Sequence, residues 1–585
     1  VLALVALFVG AFLVFSVVSL SLAQRLPAFA LLGVLGLTAR ERRALVLGEC
    51  ALLGAVGSAL GLLGGAGLAA LALRWLAGDL GGGYFPGIAP ALRVDAWAAI
   101  GFGLLGIASA LVGGWLPARR AEALSPAQAL KGLGDAGVRA APAWPGLALL
   151  ALGTLLAFLP PWGGLPVAAY LSVAALLFGG VALVPATVKG MLAALPASRN
   201  ALLLLAVQRA RFQRHTASAA VAGVVASLAL SVALTVMVTS FRGGVADWLD
   251  KVLPADLYVR SAASSRTAEQ AWFEPAFVDA VAALPGVQRV MASRMRALTL
   301  APGRPAVTLI ARPLTRPAET LPLLEASAAP REGEIGVYVS EAAAALYELR
   351  QGELMRLPIA AAGEVSARVL GVWRDYARQF GAIAIDLQDY RRLTGDQRIN
   401  DLALWLAPQA RTGGIGDLQS SMRALAGEAG LLEFAATPEL RALSLAIFDR
   451  SFAVTYYLQA VAIAIGLVGV AASMSAQVLA RRKEFGLLAH LGLTRRQVIG
   501  VVAGEAAAWL AAGTLIGLLL GLAVSVVLVH VVNPQSFHWT MQLLVPWPSL
   551  LALCAAVLAA GIATAAVSAR SAASRAALLS VKEDW

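Results

Sequence analysis

The chain has 585 residues, of which 59% are hydrophobic and 14% are charged, and its formal net charge is +12 at pH 7. Soluble proteins carry about 25% charged residues, so this composition excludes an ordinary soluble protein and indicates a chain that lies largely in a membrane. None of the five lysines is followed by Ser or Thr, so the sequence contains no Walker-type phosphate loop. If the protein uses ATP and Mg²⁺, another polypeptide binds them, and we expect no cofactor in this chain.

Nine apolar runs have roughly the length that crosses a bilayer, about 20 residues. They lie near 1–22, 45–77, 95–117, 144–160, 165–190, 216–240, 452–479, 498–532 and 546–569. The run at 144–160 is short, so with 165–190 it forms either a hairpin pair or a re-entrant segment. The sequence therefore predicts a polytopic α-helical membrane protein with about nine spans. Because Val1 already lies in an apolar run, we expect the natural chain to continue upstream.

The basic residues between these runs lie almost entirely on one side of the membrane. Twenty-one of them fall in the segments 25–43, 119–139, 189–214, 481–496 and 570–582. The short loops on the opposite side contain one, Arg93. Cytoplasmic loops carry the excess of Lys and Arg, so these basic segments are predicted to face the cytoplasm.

The composition changes to that of a soluble domain between Phe241 and Arg450, with 23 Lys and Arg against 24 Asp and Glu. We call residues 241–450 the outer domain, because it falls on the side opposite to the basic segments. Strands are predicted in it by short β-branched and aromatic runs, at 256–260, 306–310, 335–339, 369–373, 382–385 and 402–405. Helical stretches at 275–284 and 341–350 complete an α+β fold. Helices at 245–251 and 440–450 would continue the adjoining spans outward as a stalk.

Residues 481–496 form a polar and basic connection between two spans, which we call the second elbow. A short amphipathic helix is predicted over 484–491. Gly492 then occupies the position at which a left-handed residue ends a helix. Thr494 and Gln497 have the capping-box spacing that begins the next helix. The second elbow is therefore predicted to be a helix–turn–helix at the membrane surface.

The same pattern occurs earlier in the chain, at a constant offset of 456 residues, where residues 28–49 match 484–505. Phe29 corresponds to Phe485, and Glu49 corresponds to Glu505. We call residues 25–40 the first elbow; its capping box would be formed by Thr38 and Glu41. A repeat at this distance indicates a duplicated module rather than a short-period solenoid.

Glu49 and Glu505 are the acids that lie well inside predicted spans. An intramembrane carboxylate is either a functional group or a structural one that is bonded to a hydroxyl or an arginine near the cytoplasmic interface. We favour the structural role. The four histidines form no ligand-spaced cluster with acids or cysteines, and Cys50 and Cys554 lie in apolar spans, so neither a metal site nor a disulfide framework is predicted. Nothing in the sequence indicates a nucleic-acid partner.

The motif Arg-x-x-Glu-Phe-x-Leu-Leu-x-x-Leu-Gly-Leu-Thr-x-Arg at 481–496, with its copy at 25–40, resembles the FtsX-like permease family of ABC transporters. That family includes MacB and the lipoprotein-exporter membrane subunits. The segment 205–216 is similar to the amphipathic lead-in of such permeases, and 337–395 is similar to their periplasmic core domain. Two such units in one chain look like the tandem permeases of the YbbP type. The first unit would lack its leading span and any outer domain attached to that span.

The resemblance implies that each elbow is a coupling helix seated in a groove of a cytoplasmic ATPase subunit, with Phe485 and Leu488 exposed as apolar contacts. It also implies two ATPase subunits as partners, besides membrane lipid and a possible periplasmic protein. Pro27 and Ala28 replace Lys483 and Glu484 in the first copy, which puts equal coupling by the two elbows in doubt. The coupling residues implied are Arg481, Arg482, Glu484, Phe485, Leu488, Leu491, Gly492, Thr494 and Arg496 in the second elbow, and Arg25, Phe29, Leu32, Gly36, Thr38 and Arg40 in the first.

The chain accordingly divides into five parts. These are a first transmembrane unit (1–140), a linking pair of spans (141–200), a lead-in helix and span (201–240), the outer domain (241–450) and a second transmembrane unit (451–585). The function this implies is that of a non-catalytic ABC permease subunit in a bacterial inner membrane, which exports or extracts a lipid, a lipoprotein or a hydrophobic peptide. The alternative is a mechanical regulator of a cell-wall hydrolase or sensor kinase. A secondary transporter is disfavoured, because the spans lack midplane charge pairs and paired broken helices.

Overall fold

The computed structural model describes most of the chain, and the account below is confined to the residues that it describes. These are residues 25–75, 93, 95–123, 142–162, 166–196, 199–212, 214–261, 272–329, 331, 333–359, 363–426, 432–480, 484, 488 and 491–572, together with Gly10, Ala11, Val14, Val18, Ser21 and Leu22.

The described membrane part of the protein is built from helices. Its helices are α1 (Leu26–Val34), α2 (Ala39–Trp75), α3 (Ala96–Ala123), α4 (Trp144–Ala157), α5 (Val167–Ala194), α6 (Ala201–Phe212) and α7 (Arg214–Val252) before the outer domain. Those after it are α14 (Thr437–Ala480), α15 (Arg495–Val527), a π-helical turn (Leu528–Val532), α16 (Asn533–Phe537) and α17 (Trp547–Ala572).

Six helices in this described part are long and apolar enough to cross a membrane. They correspond to α2, α3, α5, α7, α15 with its extension to Phe537, and α17. The prediction of a polytopic membrane protein is therefore confirmed. Helix α14 runs through the predicted span 452–479, whereas the run at 1–22 lies mostly outside the described residues. The number of nine spans stays a prediction.

The short apolar run at 144–160 forms α4, which has 14 residues, about 21 Å of helix. It packs closely on α5, and the Ser172 hydroxyl of α5 donates a hydrogen bond to the Gly153 carbonyl of α4 at 2.6 Å. A Cβ atom at Gly146 would lie 3.0 Å from the Gly179 carbonyl oxygen. The pair is thus a helical hairpin, although α4 is shorter than the roughly 30 Å hydrocarbon core.

The outer domain is built on one nine-stranded mixed sheet in the order β5-β6-β4-β7-β3-β2-β8-β1-β9. The strands are β1 (Leu257–Ser261), β2 (Val287–Leu298), β3 (Val307–Arg312), β4 (Ile335–Ser340), β5 (Leu354–Ile359), β6 (Gly363–Trp373), β7 (Ala382–Asp386), β8 (Asp401–Leu406) and β9 (Leu432–Ala436). All six predicted strands are confirmed; β2, β5 and β9 were not predicted.

The helices of the outer domain are α8 (Pro275–Ala282), α9 (Pro317–Thr320), α10 (Glu341–Tyr347), α11 (Leu387–Thr394), α12 (Pro408–Gly413) and α13 (Ile415–Ala426). The predicted helices at 275–284 and 341–350 are therefore present as α8 and α10. Strand β2 joins the two halves of the sheet, because its first part pairs with β8 and its last part with β3. The prediction of an α+β domain is confirmed.

The outer domain connects to the membrane part through helices that do not end at the membrane. Helix α7 has 39 residues and α14 has 44, more than the roughly 20 residues that cross a bilayer. Arg242 of α7 pairs with Asp449 of α14 at 2.9 Å, and Arg441 pairs with Asp250 at 2.7 Å. The two helices thus form the predicted stalk.

Candidate coupling sites at the two ends of the membrane helices

The turn of the second elbow has the predicted geometry. Gly492 has a φ of +93°, which an L side chain rarely adopts. The Thr494 hydroxyl accepts a hydrogen bond from the Gln497 amide, and the Gln497 side chain accepts one from the Thr494 amide. This capping box satisfies two backbone donors at the first turn of α15. The predicted left-handed conformation of Gly492 and the predicted capping role of Thr494 are therefore confirmed.

The first elbow has the same local structure. Gly36 has a φ of +105°. The Thr38 amide donates to Glu41 Oε2 at 2.8 Å, and the Glu41 amide donates to Thr38 Oγ1 at 3.3 Å. Because Thr38 caps α2 as Thr494 caps α15, the two elbows fix the start of two long membrane helices in the same way.

The expected apolar contact residues are placed differently from the prediction. Phe29 is 7% exposed and packs on Val18, Val46 and Ala118 within the first unit's own core. Leu488 is half-buried against a matching cluster of the second unit. The expectation that Leu488 is exposed is therefore wrong, because Val498, Val502 and Ala569 pack against it. Phe29, the counterpart of Phe485, is buried by residues of three segments of the first unit.

Among the described residues, the most exposed apolar side chain of each elbow is the leucine that precedes the turn glycine. Leu35 and Leu491 occupy equivalent positions, and each is 71% exposed. Gly36, Thr38 and Arg40 of the first elbow are exposed, as are Gly492, Thr494 and Arg496 of the second, and Leu32 is half-buried like Leu488. Arg481, Arg482 and Phe485 lie outside the described residues.

Both intramembrane acids contact an arginine. In the first unit, Arg25 Nη1 lies 3.2 Å from Glu49 Oε1, and both side chains are more than half exposed. In the second unit, Glu505 is 2% exposed and lies 3.5 Å from Arg209 of α6, whose guanidinium also donates to Glu484 at 2.9 Å. This geometry fits a structural role, since a buried carboxylate needs a partner.

Helix α6 is held firmly beside α15 and α5. The Trp509 indole donates to the Ala210 carbonyl at 3.2 Å. The Arg211 guanidinium donates to three carbonyls at the C-terminal end of α5, those of Leu192, Ala193 and Leu195. These carbonyls would otherwise lack partners. The predicted lead-in segment thus connects the second elbow to the linking pair of helices.

A second candidate site lies at the opposite end of α15, where the outer domain meets the loop between α16 and α17. Thr540 in this loop donates its backbone amide and its hydroxyl to the Glu341 carboxylate, the hydroxyl at 2.6 Å. Arg374 Nη2 donates to the Thr540 hydroxyl oxygen at 3.0 Å, and the Tyr376 hydroxyl donates to the Thr540 carbonyl at 2.9 Å. We call these four residues the joint.

The joint is largely buried. Glu341 is 8% exposed as a side chain, and this burial raises its pKa above the usual range, against the lowering by the Thr540 hydrogen bonds and by Arg374. Burial also raises the pKa of Tyr376 to about 12. The Trp248 indole of α7 donates to the Arg374 carbonyl at 3.0 Å, so the stalk takes part in the same contact.

An aromatic cluster surrounds the joint on the membrane side. Phe241 contacts Tyr376, Phe448, Phe452 and Trp539, with ring centroids 5.0–6.0 Å apart. Neither the joint nor the cluster was predicted from the sequence. Their residues are far apart in the chain, and no short motif unites them.

Among the residues that the structure describes, no group of three His, Cys, Asp or Glu side chains could hold a metal ion. Cys50 and Cys554 are both buried and free.

Comparison with known proteins gives three results. Residues 1–126 and 458–577 match the FtsX-like permease C-terminal family. An uncharacterized ABC transporter permease protein of Mycobacterium tuberculosis is 27% identical over 93% of this chain, which spans 64% of that relative's length. Two solved structures match the chain in part. They are the periplasmic region of MacB from Actinobacillus actinomycetemcomitans (12% identity, 34% of this chain, 95% of that one, TM-score 0.26) and the extracellular domain of the noncanonic ABC-type transporter YknZ from Gram-positive bacteria (13%, 31%, 98%, 0.23).

Proposed function

We propose that the chain is the membrane subunit of an ABC transporter of the FtsX-like permease family, and that a separate cytoplasmic ATPase acts through it to drive the export or extraction of an amphiphilic substrate. The ATPase would bind ATP and Mg²⁺, and two of its subunits would dock at the two elbows. The membrane would be a bacterial inner membrane, with the elbows in the cytoplasm and the outer domain outside. A lipid, a lipoprotein or a hydrophobic peptide would be the substrate.

One observation carries this proposal: a single helical segment connects the second elbow to the joint. From Arg495 to Phe537 it comprises 43 residues, about 65 Å at 1.5 Å per residue. Thr494 caps its first turn, and Thr540 follows its last turn and binds Glu341 of the outer domain. A displacement of the elbow by an ATPase would therefore reach the outer domain along one stiff element.

The π-helical turn at Leu528–Val532 lies near the outer end of this segment. Such turns are rare and occur frequently at functional sites. Val529 of the turn is fully buried in the cluster that contains Tyr376 and Trp248. A change in the axial position of α15 would therefore act directly on the packing of the joint.

The amphiphilic class of substrate is supported by the family and by the apolar character of the spans. The acids Glu49 and Glu505 lie near the elbow ends of their helices, and each has an arginine beside it. Neither pair therefore offers a polar binding position at mid-membrane. A substrate that enters from the lipid or from the outer-domain side needs no such position.

The alternative is a mechanical regulator that moves no substrate but switches a periplasmic partner, such as a cell-wall hydrolase or a sensor kinase. The observation that favours it is the joint itself, since a buried contact between the outer domain and the membrane loop transmits motion without any transport path. Both functions require the same partner ATPase.

Purification of the complex from native membranes tests the proposal. We expect the chain to retain an ATPase subunit and a bound amphiphile, and ATP to release that amphiphile from proteoliposomes. ATP turnover without release, together with ATP-dependent activation of an outer partner, would favour the regulator. A chain that binds no ATPase would contradict both.

A further inference from the structure

Helices α15 and α17 enclose an open cleft at the end of the membrane part that carries the second elbow. The cleft has a volume of about 470 Å³ and is lined by Arg495, Arg496, Ile499 and Arg570. No acid is among the described residues that line it. We call these four residues the arginine cleft. Three cations from two helices thus line one space, and no carboxylate of the described lining balances their charge.

The arginine cleft is tied into the packing of the two helices. The Arg495 guanidinium donates to the Arg570 carbonyl at 2.9 Å, which joins the start of α15 to the end of α17. Ile499 packs against the apolar cluster that contains Val498 and Ala569. The cleft therefore combines fixed cations with an apolar side chain, which suits an amphiphilic anion.

Helix α17 places the cleft at the level of the lipid headgroups. Its apolar span runs from Trp547 to Arg570 and has 24 residues, about 36 Å at 1.5 Å per residue, close to the roughly 30 Å hydrocarbon core of a bilayer. Arg570 ends this span, so it lies at the membrane surface, and the hydrogen bond to its carbonyl keeps Arg495 at the same level. Val567, one turn further into the membrane, is 63% exposed, so lipid chains reach the neighbourhood of the cleft.

The first transmembrane unit offers an internal comparison, because α2 and α3 cross as α15 and α17 do. Gly54 corresponds to Leu510 at an offset of 456, and Ala110 corresponds to Gly561 at an offset of 451. A Cβ atom at Gly54 would lie 2.8 Å from Ala110, and one at Gly561 would lie 2.5 Å from Leu510. The same two positions thus contact each other in both units.

The cations at the equivalent place in the first unit have partners. Arg43 of α2 lies 3.1 Å from Glu122 of α3. The guanidinium groups of Arg43 and Arg119 also lie 5.9 Å and 5.4 Å from the centre of the Trp115 ring. The charge in this place is therefore offset by an acid and by an aromatic face.

The second unit keeps a cation here and lacks these partners. The residues that correspond to Arg119, Arg43, Trp115 and Glu122 are Arg570, Ile499, Ala566 and Ala573. Arg495 adds a cation at the position of Ala39. The general excess of Lys and Arg in cytoplasmic segments accounts for arginines in both units. It does not account for the loss of the acid and the aromatic ring in one of them.

We propose that the arginine cleft binds the headgroup phosphate of an anionic phospholipid, whose acyl chains would lie along α17 beside Ile499 and Val567. Phosphate oxygens accept charge-assisted hydrogen bonds from guanidinium groups, and basic pockets between membrane helices bind such headgroups. A bound lipid would join the ends of α15 and α17 next to the second elbow. The proposal goes beyond the proposed function and requires neither an ATPase nor a transported substrate.

Photo-crosslinking of the lipid beside the cleft tests the proposal. A benzophenone group is attached to Val567→Cys in the full chain, which is reconstituted without ATPase in liposomes of equal parts phosphatidylglycerol and phosphatidylcholine. The crosslinked lipid is identified by mass spectrometry. The matched control is Leu116→Cys, because Leu116 corresponds to Val567 and is 50% exposed in the first unit. Cys50 and Cys554 are buried and should take up little label.

We expect phosphatidylglycerol to exceed phosphatidylcholine at Val567→Cys by at least about tenfold, which corresponds to roughly 1.4 kcal/mol of preference. The ratio at Leu116→Cys should be several times smaller. Arg495→Gln combined with Arg570→Gln should remove the preference at Val567→Cys. The same pair of substitutions should leave the ratio at Leu116→Cys unchanged, which excludes unfolding as the cause.

Several outcomes would overturn the proposal. Equal amounts of the two lipids at Val567→Cys would show a cleft with no preference for the anionic headgroup. An equal preference at Leu116→Cys, or a preference that survives the two arginine substitutions, would show only the general attraction of anionic lipid to a basic surface. Loss of the preference in excess inorganic phosphate, but not in chloride of the same ionic strength, would show a site for free phosphate instead of a lipid.

Discussion

Thr540 donates both its backbone amide and its hydroxyl to the carboxylate of Glu341, a residue 199 positions earlier in the chain. Arg374 lies 3.7 Å from the same carboxylate and donates to the Thr540 hydroxyl oxygen. One hydrogen-bonded group thus ties the outer domain to the loop between the last two membrane helices. Motion of α15 can therefore reach the outer domain through this contact as well as through the stalk.

Glu341→Ala should release the Thr540 amide. A hydrogen bond to a charged group contributes about 1.5–3 kcal/mol, so hydrogen exchange at Thr540 should accelerate by about tenfold or more. Exchange measured by mass spectrometry on the reconstituted chain reads this directly. Glu325→Ala, at an exposed glutamate of the same domain, is the control and should change nothing at Thr540. Unchanged exchange in Glu341→Ala would mean that the joint is not closed in the membrane.

Glu505→Gln should retain most ATPase-coupled activity, because Arg209 keeps Glu484 as a partner at 2.9 Å and the amide can still accept a hydrogen bond. Arg209→Ala should cost more stability, since it leaves the buried Glu505 without its cation. Thermal unfolding and ATP turnover of the two variants in detergent give the comparison. A Gln variant that assembles fully but is inactive at every pH would instead indicate that Glu505 carries protons.

Asp396 should stabilise the outer domain through a buried ion pair. Arg294 and Asp396 are 4% and 9% exposed and lie 3.1 Å apart. Breaking such a pair typically costs about 3–5 kcal/mol, so Asp396→Ala should lower the unfolding temperature clearly. Asp389→Ala breaks the more exposed pair with Arg392 and should cost at most about 1 kcal/mol. Equal effects of the two variants would contradict the assignment.

The same carboxylate gives a pH dependence. Burial would raise its pKa, but hydrogen bonds from Arg398 and Tyr390 and the charge of Arg294 lower the pKa to about 2, from its ordinary value of 3.8. A lowered pKa means that the unfolded state binds the proton more tightly. The stabilisation is therefore complete above about pH 4 and is lost as the pH falls through 2. Unfolding curves of the Asp396→Ala variant should not show this loss.

The parts of this structure that the sequence predicts are those decided by neighbouring residues. Thr494 and Gln497 are three positions apart, and Gly492 is the residue that tolerates a positive φ, so the elbow turn follows from local rules. The six confirmed strands are short apolar runs. Strand β2 was not predicted because it contains three charged residues, Arg289, Arg294 and Arg296. Arg294 can be buried because it forms an ion pair with Asp396.

The parts that the sequence does not predict depend on distant contacts. Phe29 belongs to a short amphipathic motif, and Val18, Val46 and Ala118 from three different segments enclose its ring. The joint unites Glu341 and Thr540 across 199 residues, and no spacing rule reaches that far. Local propensity does not determine that Phe29 is buried while Leu35 of the same elbow is exposed. Tertiary packing determines it.

The orientation of the chain is open to a direct labelling test. The excess of cations on one side of the membrane predicts that the elbows lie in the cytoplasm. Gln397→Cys in the outer domain should therefore react with an impermeant thiol reagent added to intact cells, whereas Leu491→Cys should not. Both positions are exposed, while the native Cys50 and Cys554 are buried and should give little background. The opposite labelling pattern would reverse the proposed topology.

The central claim is that the second elbow is the contact through which an ATPase acts, and Leu491→Asp tests it most directly. Leu491 is 71% exposed, so the substitution should leave the fold intact. Burial of a leucine contributes about 1.5–3 kcal/mol, and an unpaired carboxylate in the groove adds a desolvation cost. Leu35→Asp makes the same change in the first elbow, whose helix begins with Pro27 and Ala28 instead of Lys483 and Glu484.

The measurement is pull-down and ATP turnover of the co-purified ATPase with the native chain and the two variants. We expect Leu491→Asp to weaken binding by two orders of magnitude or more, at about 1.4 kcal/mol per tenfold, and to abolish stimulation of ATP turnover. Leu35→Asp should leave a measurable part of both. Native binding and turnover in a correctly folded Leu491→Asp chain would contradict the coupling role of the second elbow.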